Sequence, residues 1–352
     1  MSRYLPRPRP GLPFLRRARD RVQIGLDRRT AVVVDRLTDD AGTALLHLDG
    51  TRTTADLVGA HPELAGLLEQ LHERGLLADE PAAPGLVAAH KQQRYADDLA
   101  ALAHAHGSAG ALRVLARRGR STVVVRGDDR AAAQIAVGLA AAGVGTVVVE
   151  AGDRPATVVD LTPSGPHEPE VMWREQVGAA VRSQGARPTS ASVRGTRPSA
   201  VVVCSSADAD LPWTDPELAD DLLADGVPHL AVAVAGSTAL VGPFVLPGSS
   251  PCLWCLDHRH RDADPAWPAL VDQLRLHHPR SHASLGIAAS AAAAVAVAHV
   301  LQVVDHGSAA RPASLDAQVE LAAPDLLATC RPVVRHPACG CGWAGVGTTM
   351  DA

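Results

Sequence analysis

Two pairs of cysteines near the end of the chain are the residues best suited to bind a metal. Cys252 and Cys255 are spaced as C-x2-C, and Cys339 and Cys341 follow as C-x-C more than eighty residues later. Thiolates are preferred zinc ligands, and four protein ligands leave no open position on the ion, so this set predicts a structural Zn2+ site. His336 could replace one thiolate, and two unrelated pairs of buried thiols are the alternative interpretation.

The remaining cysteines and the histidine-rich segments give weaker signals. Cys204 and Cys330 stand alone in the sequence, and each is predicted to be a buried small residue rather than a nucleophile. Segment 257–264 contains two histidines and three aspartates that could hold a second metal ion. A solvated loop is the preferred interpretation of that segment, because exposed charged residues are common.

A different chemistry is indicated by the loop that follows the β-branched run at 122–125. In a βαβ unit this loop holds phosphate when glycines let backbone N–H groups approach the anion at the helix N-terminus. Here only Gly127 is present, and Asp128 and Asp129 put negative charge where a triphosphate would lie. The two aspartates could also simply cap the helix. The loop therefore predicts that binding of ATP and Mg2+ is weakened or lost.

An acidic residue at the end of the next strand belongs to the same pattern. Glu150 stands where a ribose-binding acid is found in dinucleotide-binding folds. An acid that ends a strand is also ordinary, so this position alone does not predict a nucleotide site.

Composition narrows the classes of partner and the mechanisms. The net charge is −5, which leaves no basic excess to neutralise the phosphates of a nucleic acid. Lys91 is the only lysine, so any mechanism that needs a second lysine is excluded. The first thirteen residues contain no apolar signal segment. We therefore expect a cytoplasmic protein, in which paired cysteines indicate metal ligands rather than disulfides.

One uncharged segment, 285–304, is long enough to cross a bilayer. It consists mostly of alanine and contains Ser290, His299 and Gln302. Because alanine drives membrane insertion weakly, we expect a helix buried against a sheet and no membrane association.

The elements that must position these residues divide the chain into modules. Residues 1–20 are predicted to be disordered or extended. Residues 21–80 predict two strands, three helices and a short wing, which is a winged-helix arrangement. Residues 81–120 predict a linker and a polar helix. Residues 121–350 predict an α/β domain whose βαβ unit requires a parallel sheet.

With these motifs identified, the chain resembles the ThiF-like cyclodehydratase-associated proteins, also called TOMM precursor leader peptide-binding proteins. The first module is similar to a PqqD-like recognition element at LDGTRT (48–53) and RGLL (74–77). The second is most similar at GPFVLPG (242–248), CLWCLD (252–257), RDADPAWP (261–268) and HPACGC (336–341). The resemblance implies a PqqD-like winged helix followed by a ThiF/MoeB-like Rossmann domain with a mixed sheet and structural zinc.

The resemblance also implies a role in azole or thiopeptide-like modification of a ribosomal peptide. Such a protein captures the precursor leader peptide and presents it to a YcaO-type cyclodehydratase, which supplies the ATP chemistry. The leader is expected to add as a strand to the small sheet, against the third helix. The implied contact residues, which must also build the core, are Val32, Val33, Val34, Leu64, Leu67, Leu68 and Leu71. Relatives form homodimers, so a homodimer is also expected.

The departures from active ThiF/MoeB relatives concern the ATP clamp. Those relatives hold the phosphates with a glycine-rich loop, an arginine, a lysine and a magnesium-binding aspartate. Lys91 precedes the first strand of the domain, whereas Arg130, Arg174 and Asp208 could fill other roles or be surface residues. A clamp without its lysine and glycines loses much of its electrostatic stabilisation.

Three functions remain open on this basis. The first is a non-catalytic scaffold, a pseudoenzyme that binds peptide and partner enzyme. The second is an adenylyltransferase that activates a peptide or carrier-protein carboxylate, with Arg130 and Arg174 replacing the lysine. The third is a regulatory pseudoenzyme whose N-terminal module serves only as a dimer interface.

Overall fold

The computed structural model describes residues 5–78, 86–157, 171–189, 197–204, 216–276 and 284–341. Contacts divide the chain into two compact units, residues 1–116 and 117–352. Most of the segment predicted as a linker and helix therefore lies in the first unit. Asp208, a predicted magnesium ligand, lies outside the described residues.

The first unit contains a three-stranded antiparallel sheet in the order β1-β2-β3. Its strands are β1 (Phe14–Ala18), β2 (Arg21–Ile24) and β3 (Val32–Val34). β1 lies inside the segment that the sequence predicts to be disordered or extended. Its two arginines and single Phe show little apolar alternation, and pairing with β2 is what orders it.

Helices α1 (Asp39–Leu46), α2 (Thr54–Ala60) and α3 (Ala65–Glu73) follow the sheet. Thr53 and Asp56 form the predicted capping box at the start of α2, since each side chain accepts a hydrogen bond from the other residue's backbone N–H. The side chains of Val22, Ile24, Leu45, Leu64, Leu68 and Leu71 form the core beneath the sheet. Two further helices, α4 (Ala89–Arg94) and α5 (Ala96–Arg120), come next, and α5 is interrupted by the non-helical residue Gly107.

The second unit is built on an eight-stranded mixed sheet in the order β11-β10-β9-β8-β7-β4-β5-β6. Its strands are β4 (Thr122–Arg126), β5 (Thr146–Glu150), β6 (Arg187–Thr189), β7 (Ala200–Cys204), β8 (His229–Ala235), β9 (Thr238–Val245), β10 (Ala317–Ala322) and β11 (Leu327–Pro332). The five adjacent strands β8, β7, β4, β5 and β6 are parallel to one another. Strands β9, β10 and β11 are antiparallel to their neighbours.

Helices cover both faces of this sheet. Alternate residues of β4 point to opposite sides, so Val123 and Val125 join one apolar core while Val124 joins another. The first core is shared with α6 (Arg130–Ala141), α7 (Trp173–Ser183) and α11 (Gly286–His306). On the other side lie α8 (Pro216–Ala224) and α9 (Leu253–Ala263), and α10 (Trp267–Leu276) contacts α9. The predicted fold class, α/β with a mixed sheet, is confirmed, and a small antiparallel sheet with three helices precedes it.

Within the described ranges, α11 is the one helix long and apolar enough to cross a membrane. Half of its apolar stretch is buried, and it packs on α6, β8 and β9, as predicted from its alanine content. Small residues allow this close approach: a Cβ on Gly138 of α6 would lie 3.0 Å from Cγ2 of Val297. At the end of α11, Asp305 accepts two hydrogen bonds from the buried Arg118, at 2.9 Å from Nε and 2.6 Å from Nη2.

Candidate functional site

The four paired cysteines come together in the second unit. Cys252 is the N-cap of α9, Cys255 lies in the first turn of that helix, and Cys339 and Cys341 follow β11. Their sulfurs all lie within 4.8 Å of one another, with Cys252 Sγ 3.8 Å from Cys255 Sγ. Two further contacts, Cys252 with Cys339 and Cys255 with Cys341, measure 3.5 Å between sulfurs. Four sulfurs about 2.3 Å from a tetrahedral ion would be about 3.8 Å apart, so the cluster could bind a structural metal such as zinc.

The surroundings of the cluster suit thiolate ligands. All four cysteines are free, and the sulfur separations are far longer than a disulfide bond of about 2.05 Å. Cys252 and Cys255 lie at the positive end of α9, where a helix favours negative charge. Burial raises the pKa of the Cys341 thiol to about 11, so a bound metal must displace its proton.

His336 does not join the sulfurs. Its Nε2 lies 2.8 Å from Oδ2 of Asp262, and its Nδ1 accepts a hydrogen bond from the N–H of Ala338. The ring also stacks on His258 with centroids 4.8 Å apart. Both nitrogens therefore have other partners, and the four cysteines are the candidate ligands.

The aspartates and histidines after Cys255 do not form a solvated loop, so that prediction was wrong. Most of the segment belongs to α9, and Asp257 is buried on its inner face. The Asp257 carboxylate accepts one hydrogen bond from Nε1 of Trp267 at 3.0 Å and pairs with Nε of Arg261 at 2.6 Å. It ties α9 to α10 rather than binding a metal.

The two lone cysteines differ from each other. Cys204, at the end of β7, is buried as predicted, and burial raises the pKa of its thiol. Cys330 is exposed, against prediction, because β11 is the edge strand of the sheet and all six of its residues face solvent.

The turn between β4 and α6 is closed tightly at its single glycine. Gly127 has φ +131°, and a Cβ there would lie 2.9 Å from Cys204 Cβ and 3.1 Å from the Cys204 carbonyl oxygen. Its N–H donates to the carbonyl of Glu150 at 2.8 Å. The N–H of the single glycine in this turn is therefore already used within the sheet.

The two aspartates of this turn occupy the N-terminal end of α6. Asp129 caps the helix, with Oδ1 accepting from the N–H of Ala132 at 2.7 Å. Burial raises the pKa of this carboxyl to about 7, although that hydrogen bond acts in the opposite direction. The Asp128 carboxylate is buried, with Oδ2 3.2 Å from Nε of Arg154. The same guanidinium donates to the Asp128 carbonyl and lies 5.4 Å from the centre of the Trp173 ring.

The other predicted nucleotide residues are engaged in ion pairs or local contacts. Glu150 accepts a hydrogen bond from Nε of Arg126 at 2.8 Å, across the register that joins β4 to β5. Arg174 pairs with Asp153. Arg130 reaches the start of α11, where a Cβ on Gly286 would lie 3.2 Å from its Nη1.

Sequence reasoning missed two arginines that decide the electrostatics of this turn. Arg126 directly follows the β-branched run of β4, and its position beside the end of β5 could have predicted a partner for Glu150. Arg154 carries no local signal, because its partner Asp128 lies twenty-six residues earlier.

The residues predicted to contact a leader peptide separate into two groups. β3 is an edge strand, on which Val33 is 45% exposed while Val32 and Val34 are half-buried. Leu64, in a 3-10 turn before α3, and the α3 residues Leu68 and Leu71 are at most 2% exposed. Leu67 is partly buried beside them. The three buried leucines therefore support the sheet from its core, and the exposed edge is formed by β3.

No protein-family model matches the chain, and no curated protein sequence matches it. Solved structures do match. The E. coli MccB structure with MccA has 14% identity and a TM-score of 0.66, covering 97% of this chain and 100% of that chain. E. coli MccB with ATP has 13% identity and a TM-score of 0.65, covering 96% and 99%. PaaA has 14% identity and a TM-score of 0.60, covering 77% and 92%. The chain therefore has the fold of MccB over nearly its whole length, with a four-cysteine cluster that could hold zinc.

Proposed function

We propose that this chain is a peptide-binding scaffold that captures a precursor leader peptide on β3 and does not itself use ATP. One observation carries the proposal: the turn where a nucleotide would bind is filled by the chain's own carboxylates. Asp129 caps α6, Asp128 is paired with Arg154, and the Gly127 N–H is bonded to the Glu150 carbonyl.

The electrostatics of the turn oppose a triphosphate. A phosphate at the N-terminus of α6 would compete with Asp129 for the N–H of Ala132. Because burial raises the pKa of Asp129 to about 7, its carboxyl is only partly charged at neutral pH. In the charged form it would repel a phosphate about 4 Å away by about 4 kcal/mol at an effective dielectric constant of about 20. The described residues of the second unit offer no lysine to offset this repulsion, since Lys91 lies in the first unit.

The open edge of β3 supports capture of a peptide. Edge strands usually resist pairing through charges, prolines or bulges, and β3 consists of three valines with none of these. The opposite edge, β1, contains two arginines and an irregular register between Arg16 and Ala18. Arg16 also pairs with Asp39 of α1. A peptide strand therefore has one favourable place to add, which is β3.

The similarity to MccB, which is seen bound to N-formylated MccA, is consistent with a peptide as ligand. We further propose a YcaO-type cyclodehydratase as the partner that supplies ATP chemistry, and zinc as the occupant of the cysteine cluster. A four-thiolate site needs reduced cysteines, so we place this activity in the cytoplasm. The expected homodimer stays a prediction, which light scattering of the purified chain tests.

Peptide capture is tested with the full-length chain and fluorescein-labelled candidate leader peptides, taken from short reading frames near its gene. Val33→Glu is expected to weaken binding at least tenfold, because it places a charge at the centre of the edge. Leu327→Glu is the matched control, since Leu327 is also an exposed aliphatic residue on an edge strand, at 73% exposure. Equal binding by the Val33 variant and the unaltered chain would contradict capture on β3.

Adenylation of a peptide or carrier-protein carboxylate is the second candidate function, and the same fold seen with ATP in MccB favours it. Calorimetry with Mg-ATP and ATP–pyrophosphate exchange in the presence of the peptide separate the two functions. The scaffold predicts neither heat of binding nor exchange. Tight Mg-ATP binding, or exchange above background, would replace it with the adenylyltransferase.

A further inference from the structure

Charge is strongly segregated within the first unit. Residues 5–36, which contain the whole sheet, have nine arginines and three aspartates, for a formal charge of +6. Residues 37–78, which contain α1 to α3, have two arginines and seven acidic residues, for a formal charge of −5. A chain whose total charge is −5 thus has a locally basic sheet.

Two of these arginines flank the open edge strand. Arg28 lies in the turn that precedes β3, and Arg36 follows its end by two residues. Both side chains are exposed, and within the described part of the chain neither has an ion-pair partner. Other arginines of this segment do form ion pairs: Arg29 pairs with Asp27 at 3.4 Å, and Arg16 pairs with Asp39 at 3.3 Å.

The backbone conformation at Arg36 determines where this second charge lies relative to β3. Arg36 has φ +59°, a left-handed conformation that is uncommon for an arginine. This turn ends β3 abruptly and leaves the exposed Arg36 side chain, next to the exposed Asp35, at the end of an uncharged strand of three valines. A cation therefore stands at each end of an apolar edge.

We infer that the peptide selected by β3 is acidic: an extended segment with an apolar centre flanked on both sides by aspartate or glutamate. The inference rests on the proposed capture of a peptide by β3 and adds the chemistry of its ligand. Apolar side chains of the peptide pack beside Val33. The side-chain carboxylates of its flanking aspartates or glutamates pair with Arg28 and Arg36.

The expected selectivity is modest at physiological salt and larger at low salt. Each exposed ion pair contributes a few-fold in affinity, so two pairs together favour the acidic peptide by roughly tenfold in 20 mM salt. Screening should reduce this ratio to about twofold or less in 500 mM salt, where the Debye length is only a few ångströms.

The test uses fluorescence anisotropy with the full-length chain and two labelled octapeptides, acetyl-DDVTVTDD-amide and acetyl-NNVTVTNN-amide. The acidic peptide is expected to bind about tenfold more tightly at low salt. The double variant Arg28→Gln/Arg36→Asn should remove this preference, so that it binds the two peptides with similar affinity. Asparagine is chosen at position 36 because it tolerates the left-handed backbone. Arg52→Gln, an exposed arginine of the acidic half, is the matched control and should keep the preference.

The outcomes separate this inference from the proposed function. Equal affinity for the two peptides would overturn the charge selection and leave capture on β3 standing. A preference that survives in the double variant would also overturn it, because residues other than Arg28 and Arg36 would then recognise the charge of the peptide. Absence of binding by both octapeptides, together with absence of binding by the candidate leader peptides, would overturn the capture itself.

Discussion

Replacing Asp129 with asparagine tests whether the turn before α6 is built around a neutralised carboxyl. Asparagine caps helices about as well as aspartate, so the hydrogen bond from the Ala132 N–H is retained. Only the charge is lost. Burial raises the pKa of Asp129 from 3.8 to about 7, which means that the folded chain holds this proton more tightly than the unfolded chain.

The sign and size of the effect follow from this difference. A carboxyl whose pKa is raised on folding stabilises the fold fully below pH 3.8, and its contribution is lost as the pH rises to about 7. Above pH 7 the loss amounts to about 4 kcal/mol, which is an upper value. Asp129→Asn should therefore change the free energy of unfolding little at pH 3. It should stabilise the chain by about 2 kcal/mol at pH 5 and by up to about 4 kcal/mol at pH 8.

The assay is urea unfolding followed by tryptophan fluorescence. All five tryptophans lie in residues 117–352, so fluorescence reports the unit that contains Asp129. Asp325→Asn is the control, because Asp325 is an exposed acid in the turn between β10 and β11. A destabilised Asp129→Asn protein at pH 8, or a stability difference that does not vary between pH 3 and pH 8, would refute the reasoning.

Three further outcomes follow from the second unit and the sheet edge. Cys252→Ser should abolish bound zinc, measured by mass spectrometry of the metal, whereas Cys204→Ser should retain one equivalent; retention by both would exclude the four-cysteine site. Asp305→Asn should destabilise the chain by about 3–5 kcal/mol in urea, because the buried Arg118 loses its counter-charge; a loss under about 1 kcal/mol would show that the pair is not needed. Val33→Glu should leave the circular dichroism spectrum unchanged while weakening peptide binding, and loss of the helical signal would mean that this strand is structural instead.

Local sequence patterns were sufficient to predict the cysteine cluster and the parallel strands of the larger sheet. The C-x2-C and C-x-C spacings constrain thiols over a few residues, and the β-branched runs that became β4, β5 and β7 are buried on both faces. The capping box of Thr53 and Asp56 was equally readable, since both partners lie within one helical turn. In each case the sequence signal lies within a few residues or repeats with the period of one element, although only the fold brings the two cysteine pairs together.

Tertiary structure decided the features that depend on distant partners. The sequence alone predicted that acidic side chains face the would-be anion, but only the fold pairs Asp128 with Arg154 and Glu150 with Arg126. It also exposed Cys330 by placing β11 at the edge of the sheet, and it ordered β1 by pairing it with β2. Hydrogen bonds and ion pairs between residues far apart in the chain depend on which elements pack together. Composition and local periodicity do not specify that packing.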